Sequence, residues 1–341
     1  MAVLGAGSWG TTLAGILAPR APTMLWARRP DVADHIAATH RNPVYVRDLH
    51  LPPDLAATGD LAQAVSGADV VVMAVPSHGF RSVLAGARSH LQTGAAVLTV
   101  TKGVEQGTLK RMTEIVVDVA PGHPFAVLTG PNLAEEVGLG QPTASVVAAR
   151  DADGAGNDAE LAVRLQRLLS TATFRVYTND DLVGCELGGS VKNVMAIASG
   201  ISDGMGFGDN ARATLITRGL AEMTRLGVAL GGRPLTFAGL AGLGDLVATC
   251  MSGRSRNRWV GEQLGRGRTI DEITSDTPMV AEGVRSSLAV VELAERAGVE
   301  TPIASEVVAV IHHGKRATDA LTSLMARVIK AELHGFSPSG G

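Results

Sequence analysis

The chain has 341 residues, a formal net charge of −3 and 45% hydrophobic residues. Its length suits about two domains, and this composition supplies a substantial core. The charge and the lack of a basic run argue against nucleic acid or a membrane surface as partner, and no apolar stretch reaches the ~20 residues of a membrane span. The only cysteines, Cys185 and Cys250, lack metal-ligand spacing. We therefore expect a cytoplasmic protein without a metal site.

The chain opens on a short apolar strand, residues 1–4, followed by three glycines with the spacing G-x-G-x-x-G. Gly5 permits a tight turn, Gly7 removes a Cβ that would collide with a pyrophosphate, and Gly10 lets helix and strand pack closely. A helix-like segment follows, and its free N–H groups and dipole favour an anion. The stretch predicts a dinucleotide-binding turn, with a purely structural turn as the alternative.

The second predicted strand, residues 24–27, is followed by two arginines. An NAD-preferring site usually has an acidic residue here, which binds the ribose 2′-hydroxyl. This chain has Arg28 and Arg29 instead, and its first acid is Asp31. Two guanidiniums suit a 2′-phosphate through charge and bidentate geometry. We predict NADPH as the cofactor, with NADH as a possible second one; a solvated basic turn is the alternative.

The remainder of the first half alternates buried strands with helices. Residues 42–60 are expected to form a loop. Apolar runs predict further strands at 70–75, 95–100, 125–128, 143–148 and 174–178. This alternation predicts an α/β fold, with a Rossmann-like doubly wound sheet over residues 1–179.

Lys102 follows one of these strands, at the edge of the sheet where ligands bind in such folds. There its ammonium can point at a bound anion or carbonyl. The alternative is a surface lysine on a turn, which is the usual environment of this residue type.

After residue 179 the strand signals stop, so residues 180–341 are expected to form a mostly α-helical second domain. The predicted features of this half are helices at 189–201, 209–230 and 282–297, a cap at Asp209, a capping box of Thr269 and Glu272, and a helix start at Thr301-Pro302. The cleft between two such domains is the default place for an active site.

Three features of this half carry candidate chemistry. Lys192 lies among Leu, Val, Met and Ala, where partial desolvation would favour release of its proton, although a snorkelling lysine fits equally well. Asp245 begins a glycine-flanked helix, where a plain N-cap is the alternative. Residues 254–258, Arg-Ser-Arg-Asn-Arg, suit a phosphate, and a solvated helix start is the alternative.

In this order, the motifs resemble the NAD(P)-dependent glycerol-3-phosphate dehydrogenase family of bacterial and eukaryotic cytosolic type, nearly end to end. The motifs that carry the resemblance are GAGSWG at 5–10, TKG at 101–103, GPNLAEE at 130–136, ELGG with KN at 186–193, GLGDL at 242–246 and SRN at 255–257. The family often has Ser or Thr where this chain has Asn132, and an amide can also bond a substrate.

The resemblance implies reversible reduction of dihydroxyacetone phosphate to sn-glycerol 3-phosphate, which feeds phospholipid synthesis. It also implies that the hydride would come from nicotinamide C4 and the proton from Lys192. Implied substrate contacts are Lys102, Gly130, Asn132, Lys192, Asp245, Ser255, Arg256 and Asn257. Implied cofactor contacts are Gly5, Gly7, Ser8, Trp9, Gly10, Arg28, Arg29, Lys102, Ala134, Arg256, Val280 and Glu282. A homodimer is compatible with these features.

Two other functions compete with this one. A related dehydrogenase acting on a 3-hydroxyacid or a 2-keto acid would favour one arginine clamp over the Ser-Arg-Asn cluster. A catalytically inactive NADPH sensor would not need Lys102, Lys192 and Asp245, all of which this chain has.

Overall fold

The computed structural model describes residues 1–276 and 281–332. The chain divides into two compact units, Met1–Glu186 and Leu187–Gly341, which we call the first and second units. The predicted domain boundary, after residue 179, lies a few residues before this division.

An eight-stranded sheet with the order β3-β2-β1-β4-β5-β6-β7-β8 forms the centre of the first unit. Its strands are β1 Ala2–Leu4, β2 Thr23–Trp26, β3 Leu55–Thr58, β4 Val70–Met73, β5 Ala96–Thr99, β6 Phe125–Thr129, β7 Thr143–Arg150 and β8 Phe174–Thr178. All neighbours pair in parallel except β6 and β7, which are antiparallel. The central strands β4 and β5 are fully buried, as their continuous apolar runs predicted.

The helices of the first unit are α1 Ser8–Leu17, α2 Pro30–Thr39, α3 Leu61–Val65, α4 Ser77–Ala87, α5 Met112–Val119, α6 Ala134–Gly138 and α7 Ala159–Leu169. Helix α1 packs with α6 and α7, while α4 packs with α3 and α5. Alternating strands and helices around a mostly parallel sheet confirm the predicted Rossmann-like class.

The expectation of a loop over residues 42–60 is wrong for β3. This strand pairs in parallel with β2 at the edge of the sheet. It has four residues, Leu-Ala-Ala-Thr, and only its two ends are buried. So short an edge strand has no apolar run that distinguishes it from a loop.

Regular structure in the described part of the second unit is helical, which confirms the predicted class. Its helices are α8 Leu182–Gly204, which begins just before the unit, then α9 Asp209–Ala229, α10 Pro234–Ala238, α11 Asp245–Met251, α12 Arg256–Gly265, α13 Ile270–Asp276, α14 Glu282–Arg296, α15 Pro302–His312 and α16 Ala317–Met325. A π-helical turn, Leu240–Gly244, precedes α11. Within the described ranges, no helix combines the length and apolarity that crossing a membrane requires.

Helix ends in this unit were predicted with mixed success. Thr269 and Glu272 exchange the reciprocal bonds of a capping box, and Pro302 is the first residue of α15. Asp209 is not the cap of α9, because Gly208 occupies that position and Asp209 lies in the first turn, paired with Arg212. Helix α8 begins at Leu182, earlier than the predicted 189.

Helices α8 and α12 approach each other through glycines. A Cβ on Gly200 of α8 would meet the carbonyl oxygen of Arg258, and a Cβ on Gly261 of α12 would meet that of Ile197. Only glycine leaves room for backbones this close. The approach brings one polar residue from each helix into contact, since Asn257 Nδ2 donates to Asn193 Oδ1 at 3.0 Å.

Candidate active site

The glycine turn after β1 has the backbone that its spacing predicted. Gly5 has a φ of +118°, and a Cβ there would lie 2.7 Å from the carbonyl oxygen of Ala74. A Cβ on Gly10 would meet the Gly5 carbonyl, so strand and helix approach closely only without it. Gly7 differs, because apart from its chain neighbours no heavy atom of the described residues lies within 4 Å of its Cβ position. The space beside Gly7 is therefore open to a ligand that approaches the backbone.

The start of α1 offers hydrogen-bond donors beside this space. Ser8 begins the helix, and the N-cap Gly7 supplies no side-chain cap, so the first N–H groups lack intrahelical partners. Trp9 Nε1 is buried and has no hydrogen-bond partner among the described residues, while its ring packs edge-on against Phe174 at 6.1 Å between centroids. The open space and the free helix N–H groups fit the pyrophosphate of a dinucleotide.

The two arginines after β2 have different surroundings. Arg29 forms a bidentate pair with Asp31, in which Nε donates to Oδ1 at 3.1 Å and Nη2 contacts Oδ2. This pair raises the pKa of Arg29 and lowers that of Asp31. Arg28 is exposed and has no hydrogen bond or ion pair with the residues that the structure describes. Of the two, Arg28 is thus the guanidinium that a 2′-phosphate can engage without competition.

We expect Arg28→Ala to lower kcat/KM for NADPH by about 10-fold and to leave that for NADH unchanged, because it removes a charge-assisted bond to the 2′-phosphate. Steady-state kinetics with both cofactors measures the ratio. The double variant Arg29→Ala/Asp31→Ala is the control, because it removes an ion pair without changing the net charge. It should change the ratio of kcat/KM for NADPH to that for NADH far less. If the ratio is unaltered in Arg28→Ala, this arginine does not bind the 2′-phosphate of the cofactor.

The ends of β5 and β6 bring three predicted substrate contacts of the first unit together. Lys102 Nζ donates to the carbonyl oxygen of Gly130 at 2.9 Å. Gly130 has a φ of +136°, and a Cβ there would lie 3.1 Å from the Cα of Ser145. Asn132 Nδ2 donates to Ser145 Oγ at 3.0 Å. The predicted cofactor contact Ala134 begins α6, and its carbonyl accepts from Thr12 of α1.

Lys192 of α8 and Asp245 of α11, both in the second unit, form a buried ion pair. Lys192 Nζ lies 3.0 Å from Asp245 Oδ1, and the two residues are only 7% and 1% exposed. The snorkelling alternative for Lys192 is therefore wrong. Asp245 is not an N-cap either, because Gly244 precedes it as the cap and its carboxylate faces the lysine.

Thr249 completes this cluster, and sequence reasoning missed it. Lys192 Nζ is 2.6 Å from Thr249 Oγ1, which in turn lies 2.7 Å from the carbonyl oxygen of Asp245. One turn of α11 separates Asp245 and Thr249, so a hydroxyl four residues after the aspartate was the available signal. The ammonium thus has an acidic and a hydroxyl partner and little contact with water.

The Ser-Arg-Asn motif forms the start of α12. Ser255 is its N-cap and accepts from the backbone N–H of Arg258, as the helix-start alternative required. Arg256 follows and is exposed. Asn257 is buried, and its Oδ1 accepts from the backbone N–H of Gly283 at 2.9 Å. Two predicted cofactor contacts remain: Glu282 is the first residue of α14, and Val280 lies outside the described residues.

Two family models match nearly the whole chain. The model of the NAD-dependent glycerol-3-phosphate dehydrogenase N-terminus matches residues 1–155, and that of the C-terminus matches residues 181–322. The chain belongs to this family. The prediction made from its motifs is confirmed.

Individual relatives and solved structures point to the same family as the two models. A glycerol-3-phosphate dehydrogenase [NAD(P)+] of Sphingopyxis alaskensis is 53% identical over 97% of this chain and 98% of its own length. One from Thermobifida fusca is 50% identical over 98% and 99%. The crystal structure of the Coxiella burnetii glycerol-3-phosphate dehydrogenase superposes with a TM-score of 0.90, at 38% identity, over 95% of this chain and 98% of that one. The predicted class of enzyme, an NAD(P)-dependent oxidoreductase, is confirmed.

The competing 2-keto acid dehydrogenases are more distant. A ketopantoate reductase of Ralstonia eutropha superposes with a TM-score of 0.59 at 17% identity, covering 94% of this chain and 100% of its own. This likeness shows a shared fold alone. It carries no argument for a carboxylate substrate.

Proposed function

We propose that this chain reduces dihydroxyacetone phosphate reversibly to sn-glycerol 3-phosphate, with NADPH and, as a second cofactor, NADH. Family membership over nearly the whole chain supports the reaction, and the names of the relatives carry NAD(P)+. The observation on which the mechanism rests is the buried cluster of Lys192, Asp245 and Thr249. An ammonium enclosed in this way suits the proton transfer that reduction of a ketone needs.

The glycine turn and the start of α1 would hold the pyrophosphate, and Arg28 the 2′-phosphate. When bound, the cofactor supplies the hydride. Lys192 polarises the C2 carbonyl of the substrate and gives a proton to the oxygen as it becomes an alkoxide. Asp245 and Thr249 hold the Nζ of Lys192 through two of its three N–H bonds, which fixes the direction of the third. Because little water reaches this cluster, solvent screens the charge of the ammonium less than it would at the surface.

The start of α12 is the proposed phosphate site for the substrate. Arg256 is exposed there and brings a charge, and the helix N-terminus adds its dipole. Ser255 Oγ accepts from the backbone of α12, so its own proton remains available for a phosphate oxygen. Asn257 uses one of its two Nδ2 protons on Asn193, which leaves the other for the ligand.

We further propose a cytoplasmic enzyme that supplies glycerophospholipid synthesis and forms a homodimer. The apolar side chains of Met325, Val328 and Ile329 are strongly exposed near the end of the described chain. Large apolar side chains this exposed offer area that a second chain would cover on association. Light scattering on the purified protein tests the dimer.

The substrate is tested by adding candidate ketones to the purified protein with NADPH and following NADPH absorbance. We expect oxidation of NADPH with dihydroxyacetone phosphate and none with a 2-keto acid such as ketopantoate. Activity with the carboxylate ketone, together with none on dihydroxyacetone phosphate, would overturn the proposed reaction.

A further inference from the structure

The loop after β6 contains a buried amide oxygen without a donor. Asn132 Oδ1 is shielded from solvent and has no hydrogen-bond partner among the described residues, whereas Nδ2 of the same amide donates to Ser145 Oγ. An unpaired buried acceptor is costly, and native structures keep few of them. Such an atom is explained when a ligand brings the missing donor.

Ser145 determines which end of this amide is unpaired. Ser145 is 0% exposed, and its Oγ donates to the carbonyl oxygen of Thr129 at 2.7 Å. A hydroxyl has one proton, so Ser145 Oγ can only accept from its second neighbour, Asn132. The amide must therefore turn Nδ2 toward Ser145, and Oδ1 faces away as a fixed acceptor.

We propose that Ser145 is a positioning residue that fixes the Asn132 amide, so that Oδ1 accepts a hydrogen bond from the free hydroxyl of the substrate. This rests on the proposed function. Dihydroxyacetone phosphate has a single strong donor, its C1 hydroxyl, because its ketone and its phosphate dianion only accept. An acceptor-only atom in the substrate site therefore selects phosphorylated ketones that have this hydroxyl.

Acetol phosphate, which has a methyl group in place of the hydroxymethyl group, tests the proposal. The wild-type enzyme should prefer dihydroxyacetone phosphate in kcat/KM by about 10- to 100-fold, because the analogue leaves Oδ1 unpaired. Asn132→Leu keeps the shape of the side chain without an acceptor and should abolish most of this preference. Ser145→Ala frees the amide to turn and should lower the preference by about 3- to 10-fold. In both variants KM for NADPH should stay unchanged.

Thr23→Val is the matched control. Its hydroxyl is also buried in the first unit and donates to a backbone carbonyl, that of Ala21 at 2.8 Å, but it orients no amide. This variant should keep the wild-type preference, which separates the role of Ser145 from the loss of a buried hydroxyl alone.

Three outcomes overturn the proposal: a wild-type enzyme that uses both ketones equally, a preference that survives both Asn132→Leu and Ser145→Ala, or a raised KM for NADPH with the preference intact. The last would identify the cofactor as the donor to Oδ1. A wild-type enzyme inactive on dihydroxyacetone phosphate would refute the proposed function instead. If Ser145→Ala does not fold, the preference of Asn132→Leu for dihydroxyacetone phosphate over acetol phosphate decides whether Oδ1 binds the substrate hydroxyl.

Discussion

Lys192→Met is expected to lower kcat for reduction of dihydroxyacetone phosphate by about 10²- to 10⁴-fold, the range of general acid catalysis, while Kd for NADPH stays unchanged. Methionine has a similar length but no proton to give and no charge to polarise the carbonyl. Asp245 and Thr249 remain in place, but neither replaces the ammonium next to the substrate oxygen. Steady-state kinetics gives kcat, and fluorescence titration gives Kd.

The variant needs a stability check, because it leaves the Asp245 carboxylate buried without its cation. Breaking a buried pair costs about 3–5 kcal/mol. The kinetics of the variant should therefore be measured at a temperature below its own Tm, which circular dichroism gives. Lys110→Met is the matched control, since it removes a lysine paired at 2.6 Å with Asp118 on the surface of the first unit. It should keep full kcat. A Lys192→Met enzyme with more than a tenth of wild-type kcat would exclude this lysine as the proton donor.

The glycine turn was predictable because its backbone and its chemistry are encoded in adjacent residues. The spacing of Gly5 and Gly10 specifies a tight turn with close helix packing, and both requirements appear in the backbone. Lys102 was found by a related argument, since it follows a buried strand and parallel strands end at one edge of a sheet. Its partner Gly130 was implied by the family resemblance. Their hydrogen bond is the outcome of that topology.

Other contacts depend on side-chain choices that no local pattern specifies. Arg28 and Arg29 look equivalent in sequence, yet only Arg29 pairs with Asp31, so the two differ in their availability for a phosphate. The unpaired state of Asn132 Oδ1 follows from a hydroxyl on a neighbouring strand, Ser145, and that partner is visible only once β6 and β7 are aligned.

Long-range packing explains the remaining misses. The composition around Lys192 was equally compatible with a buried and a snorkelling side chain. Its ammonium is buried because Asp245 and Thr249 on α11 bind it. The bond between Asn193 and Asn257 joins residues 64 apart in the chain. It depends on how closely α8 and α12 approach. That distance in turn depends on Gly200 and Gly261, whose role in helix packing no local sequence pattern indicated.

Gly261→Ala is expected to lower the free energy of unfolding by about 3 kcal/mol, at the upper end of the cost of overpacking. The new Cβ would meet the Ile197 carbonyl oxygen and would lie 2.8 Å from its carbon and 2.9 Å from Ile201 N. These are backbone atoms of α8, so relief requires the helices to separate.

Helix propensity opposes this effect, because alanine gains about 1 kcal/mol over glycine inside a helix, but the steric cost is larger. Separation would also pull Asn257 from Asn193 and displace the start of α12, so KM for dihydroxyacetone phosphate should rise as well. Gly253→Ala is the matched control, since beyond its chain neighbours the described part of the protein has no heavy atom within 4 Å of its Cβ position. It should change stability by less than about 0.5 kcal/mol. Urea denaturation compares the three proteins, and a Gly261→Ala variant at least as stable as wild type would show that the helices tolerate a wider spacing than their glycines indicate.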